Sequence, residues 1–248
     1  MKNTGFSLLE LLVASALSTL VIAGLIPIYI GIKTNSQYQH ALMDLQDSQR
    51  FAQILLSQRI RAAGFVGCAD ASNPVEQSQA IVGYDNNTLP AALQNQVVSG
   101  TDAVSIRSCL SQSQISQNAQ LANMAYYVGD TYRTNQQGQP VLALFQKPLD
   151  SGDRVELVAG VEQMQIRYGI AGNSAASPLT YYTAAQITDW RAVRSLQIEL
   201  LTNSIDPFLK KPQTYYFNGE SITPNDLLLH KPWSVYVSLR ERGVKYAG

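Results

Sequence analysis

The stretch TGFSLLELLVASALSTLVIAGLIPIYIGIK, residues 4–33, decides the fold. It holds one carboxylate, Glu10, and from Leu11 to Ile32 no side chain that is charged at neutral pH. At about 1.5 Å per residue that run makes a helix of roughly 33 Å, the thickness of a bilayer core. A secretory signal has an apolar core of only about 7–15 residues, with a small-residue cleavage site behind it. The run is too long for that and reads as a retained anchor. Lys2, the only charged side chain of the short leader, puts the N-terminal side in the cytoplasm and the rest of the chain across the membrane. Gly24 and Pro27, both helix-weakening, mark a candidate bend. A charge at the centre of a span costs about 2.5–3.5 kcal/mol on insertion scales, so Glu10 calls for a partner.

Beyond Lys33 the helical pattern continues without a stop signal. Tyr38, Leu42, Leu45, Ala52, Leu55, Leu56 and Ile60 recur at helical spacings, and no glycine or proline interrupts before Gly64. The spacing predicts one helix from about Phe6 to Ala63, its second half packed on a sheet through this stripe. The rest is β-rich. VEQMQIRYG, VRSLQIELL and WSVYVSLRER alternate apolar and polar residues, as strands with one buried face do. VSIR, MAYYV and VLALFQ are further strands. Residues 69–100 and 171–189 read as loops with short helical pieces, and DLLLHKPW from Asp226 reads as a short helix ended by Pro232. The expected class is α+β, with a long N-terminal helix on an antiparallel β body.

Composition narrows the function. Lysine plus arginine number 18 and aspartate plus glutamate 18, so no basic excess marks a nucleic-acid binder. Arg240, Arg242 and Lys245 form a local basic patch near the C-terminus. Two cysteines, Cys68 and Cys109, are too few for a structural zinc site. They form one disulfide if the body lies outside the cytoplasm, and otherwise two buried thiols. No GxSxG, HExxH, Walker A or CxxC pattern occurs, so no catalytic residue, cofactor or metal is expected. His40 and His230 read as surface or packing residues, Asp150 and Asp153 as a turn, and Asp189 with Trp190 as a cap and a packing residue. The paired tyrosines at 126–127, 181–182 and 215–216 are either interface anchors or strand positions with one ring buried.

TGFSLLELLVASAL resembles the class III signal of type IV pilins. The resemblance implies that prepilin peptidase cuts after Gly5 and that Phe6 becomes an N-methylated terminus. Phe6 and Glu10 are four residues apart, on one helical face. Glu10 then lies within reach of its own terminal amine or, in a filament, meets the ammonium of a neighbour and sets subunit register. RIRAAGFVGC (59–68), LVAGVEQMQIRYG (157–169), ITDWRAVRSLQIELLTNS (187–204) and VYVSLRERG (235–243) resemble segments of PilW-like minor pilins. Between Cys68 and Gln146 no such block is found.

The resemblance divides the chain into a leader (1–5), a transmembrane and assembly helix (6–32), an extramembrane helix (33–65) and a β-rich periplasmic body (66–248). It implies a minor pilin that helps start pilus assembly at or near the tip, a structural protein rather than an enzyme. Its partners are prepilin peptidase, other minor pilins, the major pilin, a tip adhesin and the inner-membrane assembly platform. The chain would sit once across the bacterial inner membrane before assembly and at the pilus tip or cell surface afterwards. The alternatives are a minor pseudopilin of a type II secretion system and a tip module that binds DNA or a surface. Replacing Gly5 by a bulky residue is expected to leave the leader attached, read as an unshifted intact mass of the membrane-extracted protein.

Overall fold

The computed structural model describes residues 7–65, 80–86, 88–111, 119–150, 152–172 and 178–239. The chain divides into two units, Met1–Met43 and Asp44–Gly248. A single helix, α1 (Leu8–Arg61), begins in the first and ends in the second, and its assignment is continuous through Gly24 and Pro27. The first unit is this helix alone among its described residues, with every side chain from Leu8 to Ile32 exposed.

In the second unit, the helix buries Leu45, Gln49, Ala52, Leu56, Ser57 and Ile60. Spacings of three and four put Leu45, Gln49, Ala52, Leu56 and Ile60 on one face. Two details differ from the sequence reading. The buried stripe starts at Leu45, since Tyr38 is 42% exposed and Leu42 half-buried. It also contains an amide: Gln49 Nε2 donates to Thr202 Oγ1 (2.8 Å) and to the Lys231 carbonyl (3.1 Å). Those bonds replace the water that burial removes from the amide.

Eleven strands complete the described body. The first five, β1 (Ile81–Tyr84), β2 (Ala103–Ser111), β3 (Ala119–Thr134), β4 (Pro140–Pro148) and β5 (Val155–Ala159), form an antiparallel sheet in chain order. A second antiparallel sheet has the order β11-β8-β6-β7, from β6 (Val161–Ala171), β7 (Leu179–Tyr182), β8 (Val193–Asn203) and β11 (His230–Ser238). The remaining two, β9 (Tyr215–Phe217) and β10 (Glu220–Ile222), make a hairpin. Sequential antiparallel neighbours need only short turns, which is why the first sheet follows chain order; the second does not, because β8 pairs with β6 and β11 rather than with β7.

One core serves the helix and both sheets. Ala52, Leu56 and Ile60 meet Val104, Ile106, Tyr126, Val128 and Leu144 from the first sheet and Met164, Ile166, Tyr168, Leu196, Ile198 and Leu200 from the second. The other face of the first sheet carries a smaller cluster, Leu93, Ala103, Ala125, Tyr127, Ala143 and Phe145. Both faces of β3 are therefore covered, so Tyr126 and Tyr127 are both buried. The sequence expectation of one buried tyrosine per pair fails there. It holds at Tyr215 and Tyr216, which are 6% and 73% exposed, because the β9–β10 hairpin turns one face, with Tyr215 and Phe217, toward Leu201 and His230 and leaves the other open.

Three further local readings change. Ile81–Tyr84 and Leu179–Tyr182 are strands inside segments read as loops, each four residues long and paired by a longer neighbour. No helix starts at Asp226. Its Oδ1 accepts from the Leu228 N–H (3.0 Å), Leu227 is left-handed (φ 57°), and the chain enters β11 at His230. Pro232 is tolerated because β11 is an edge strand, where a missing N–H breaks no ladder. Asp189 and Trp190 behave as read: Asp189 Oδ1 accepts from Arg191 N (3.0 Å), and the Trp190 ring stands edge-on to Tyr168 at 4.9 Å.

The sheets join at Gly160, the single residue between β5 and β6. Its N–H donates to the Leu142 carbonyl and its carbonyl accepts from Asn203, both at 2.8 Å. Its φ is +75°, and a Cβ there would lie 2.6 Å from the Asn203 carbonyl oxygen. Gly160→Ala is expected to destabilise the body by about 1–3 kcal/mol, the usual range for backbone strain, measured by denaturant unfolding of the detergent-solubilised chain.

Candidate functional site

The N-terminal helix is organised around polar groups that must live without water. Ser15 donates to Leu12 O (2.9 Å), Ser18 to Ala14 O (2.8 Å) and Thr19 to Ala16 O (2.9 Å). Thr34 donates to Ile30 and Gly31 carbonyls at 3.1 and 3.0 Å. Each hydroxyl is satisfied inside its own helix, so none penalises a lipid environment. Glu10, in the first turn, has no cation beside it among the described residues. A carboxylate there interacts favourably with the positive end of the helix dipole, yet that end leaves its charge uncompensated in hydrocarbon. Leu8, Leu9, Leu11 and Leu12 around it are all more than 60% exposed, an apolar surface with no cover in a single chain. Gly24 and Gly31 have open space around them, which leaves room for a close helix neighbour. Gly5 and Phe6 lie outside the described residues.

At the other end of α1 the chain turns directly onto β2. Gly64 N donates to Arg107 O (2.9 Å), and Cys109 N donates to Phe65 O (2.8 Å). Cys109 carries no free thiol. Cys68, Arg240, Arg242 and Lys245 lie outside the described residues.

The body contains one buried charged cluster that the sequence did not reveal. His230, wholly buried, opens β11 with its ring stacked on Tyr215 at 4.8 Å. Asp226 Oδ2 lies 2.9 Å from Nε2, and Glu162 Oε2 lies 3.0 Å from Nδ1, in ion-pair range but off the hydrogen-bonding line of that nitrogen. Burial works against the charged ring, but the two carboxylates more than offset it, so the pKa is raised. The ring thereby ties the start of β6, the 226–229 turn and the β9 hairpin to one point. His230 is a packing residue, as expected, but one set between two carboxylates. Asp226 and His230 are four residues apart, but nothing in the sequence ties Glu162 to them, and only the fold brings the start of β6 to the ring.

A half-buried acid ties the two sheets. Asp102 N donates to Met164 O and its Oδ2 accepts from Ile166 N, both at 2.8 Å. Burial pushes its carboxyl up to about 6, against the pull of that N–H, with Asp85 adding a smaller push. Its bonds are to backbone, and no metal-holding group of His, Cys, Asp and Glu exists among the described residues. What this geometry supplies is an anchor between the two sheets.

The family described as Type IV Pilus-assembly protein W matches residues 125–241, from within β3 to past β11. The prokaryotic N-terminal methylation motif matches residues 1–26. No curated protein matches the chain. Among solved structures, a type IV-like pilin from Thermus thermophilus is similar, with 13% identity and a TM-score of 0.41, over 81% of this chain and 98% of that one.

The two titrating groups make stability depend on pH in one direction. A histidine with a raised folded pKa contributes fully below its unfolded value of about 6.5, and the contribution is lost as pH rises through the folded value. An acid raised to about 6 penalises the fold while ionised, and the penalty fades as pH falls from there toward its unfolded value. The contribution of these two groups to the thermal midpoint of the detergent-solubilised chain is therefore expected to rise as pH is lowered from about 8 to about 4, through His230 in the upper part of that range and through Asp102 below about 6. His230→Gln should flatten the upper part of the profile and Asp102→Asn the lower part. A flat wild-type profile contradicts both assignments.

Proposed function

We propose that this chain, a PilW-like type IV pilin, is a minor pilin that helps initiate pilus assembly and resides at or near the pilus tip with other minor pilins. The observation that carries the reading is Glu10: one carboxylate in an apolar helix end, beside a methylation motif that implies a free N-terminal amine. Prepilin peptidase cuts between Gly5 and Phe6 on the cytoplasmic face. The new Phe6 ammonium of one subunit then pairs with Glu10 of the next, and each pairing removes a penalty that both charges carry alone in lipid. A leucine at this position would anchor equally well and specify no neighbour. Assembly draws on an inner-membrane platform and on other pilins, and leaves the body at the cell surface. The Gly24–Pro27 segment, where Pro27 cannot donate to the Ala23 carbonyl, is the place where the helix bends or loosens in the packed filament.

We also propose that Cys68 and Cys109 form a disulfide. Cys109 N bonds the Phe65 carbonyl, and Cys68 follows three residues later in the chain. Closing that loop would stabilise the fold by roughly 4 kcal/mol on the chain-entropy model. The role is structural, with no catalysis, cofactor or nucleic-acid ligand assigned. A minor pseudopilin of a secretion system is the second reading, since it uses the same anchor, and the PilW match in the body weighs against it.

A deletion strain separates the two readings. Lost surface pili with normal exoprotein secretion is expected, and the opposite pattern rejects the pilus. Glu10→Leu should reach the membrane at wild-type levels yet fail to restore piliation to that strain. Normal piliation by this variant would remove the pairing mechanism.

A further inference from the structure

One exposed ring in the body is held in a conformation that tyrosine disfavours. The β3–β4 register shifts between Asp130 and Thr134, and inside that bulge Tyr132 has φ 60°. A bulky residue in the left-handed region is an outlier, kept only where its surroundings enforce it. Here they do. Asp130 Oδ1 accepts from the Tyr132 N–H (2.7 Å), Thr131 Oγ1 accepts from Arg133 N (3.2 Å), and the same hydroxyl donates to Val141 O (2.7 Å). The strain serves no packing, because Tyr132 is 78% exposed. Glycine would occupy the site without cost.

What the bulge accomplishes is to hold the ring over a cation. The Arg154 guanidinium carbon lies 4.9 Å from the Tyr132 ring centroid and 4.3 Å from that of Phe145. Phe145 is buried and stacks on Tyr127 at 5.9 Å. Arg154 Nη2 donates to the Asp130 carbonyl (2.8 Å), which fixes the guanidinium plane. No carboxylate pairs with Arg154 among the described residues, and the nearby Glu156 is committed to Arg133. Val155, next along the edge strand, is 51% exposed. The result is an unneutralised, pre-oriented guanidinium between two rings, beside exposed apolar surface. Tyrosine and arginine in that arrangement are the residue types that dominate protein interfaces, and a guanidinium with free N–H groups takes a carboxylate.

We propose that Tyr132 and Arg154 form the contact point for a carboxylate on the body of a different, neighbouring pilin-type chain. The proposal rests on the pilin reading above and names the surface through which the body joins its neighbour.

The test uses the full-length chain in its own membranes, with piliation and the recovery of other methylation-motif chains after detergent extraction as readouts. Tyr132→Gly should keep or raise the thermal midpoint, because it relieves strain, while recovery of the neighbouring chain falls at least tenfold. Arg154→Gln should cut recovery similarly, and Tyr132→Phe, which keeps the ring, should leave it within twofold of wild type. A photo-crosslinker at position 132 should join this chain to a different methylation-motif chain. An adduct between two copies overturns the proposal, as does a Tyr132→Gly midpoint several degrees lower. Should Glu10→Leu abolish piliation while Tyr132→Gly and Arg154→Gln leave recovery intact, this surface is wrong and the pilin reading stands. Should deletion of the chain leave piliation intact, both fall.

Discussion

One unbroken helical backbone has to satisfy two solvents. From Leu8 to Ile32 every side chain is exposed and almost all are apolar, which suits lipid and little else. Ser15, Ser18 and Thr19 bond to carbonyls of their own helix, so these hydroxyls need no outside partner. Glu10 is the exception, and its charge can be balanced only by a group that the described single chain does not hold. The pairing proposed above, with a neighbour's terminal ammonium, would supply that group.

The body solves a different problem, that of holding short sheets and a hairpin in register around the end of the helix. Apolar packing supplies most of the favourable free energy, since the main cluster draws on the helix and both sheets. Apolar contacts do not by themselves fix register, because they are not directional. The directional bonds sit where elements meet: Gln49 to Thr202 and Lys231, Asp102 to Ile166, and His230 between Asp226 and Glu162. Each is a buried or half-buried polar group that is costly if misaligned, so each disfavours a shifted pairing.

Tyr132 belongs to a different category. It is strained and exposed, so neither folding nor solubility explains it. The bulge that holds it is fixed by Asp130 and Thr131, and the cation beneath it sits on the buried Tyr127–Phe145 stack. Local sequence rules fail at such positions because the residue is kept for something outside the fold.

The sequence by itself determined the features that repeat locally. The uncharged run after Glu10 specified the anchor, the spacing from Leu45 to Ile60 specified the helix face, and alternation in β6, β8 and β11 specified three strands of one sheet. These are legible because burial of a helix or strand face imposes a period on the residues themselves. Tertiary structure alone decided what depends on distant partners. Ile81–Tyr84 and Leu179–Tyr182 are too short to show a period and become strands only because a longer neighbour pairs them. Gln49 looks like a break in the stripe until Thr202 arrives beside it. Glu162 shares no spacing with Asp226 and His230, and joins them only when β6, the 226–229 turn and β11 close around one buried ring.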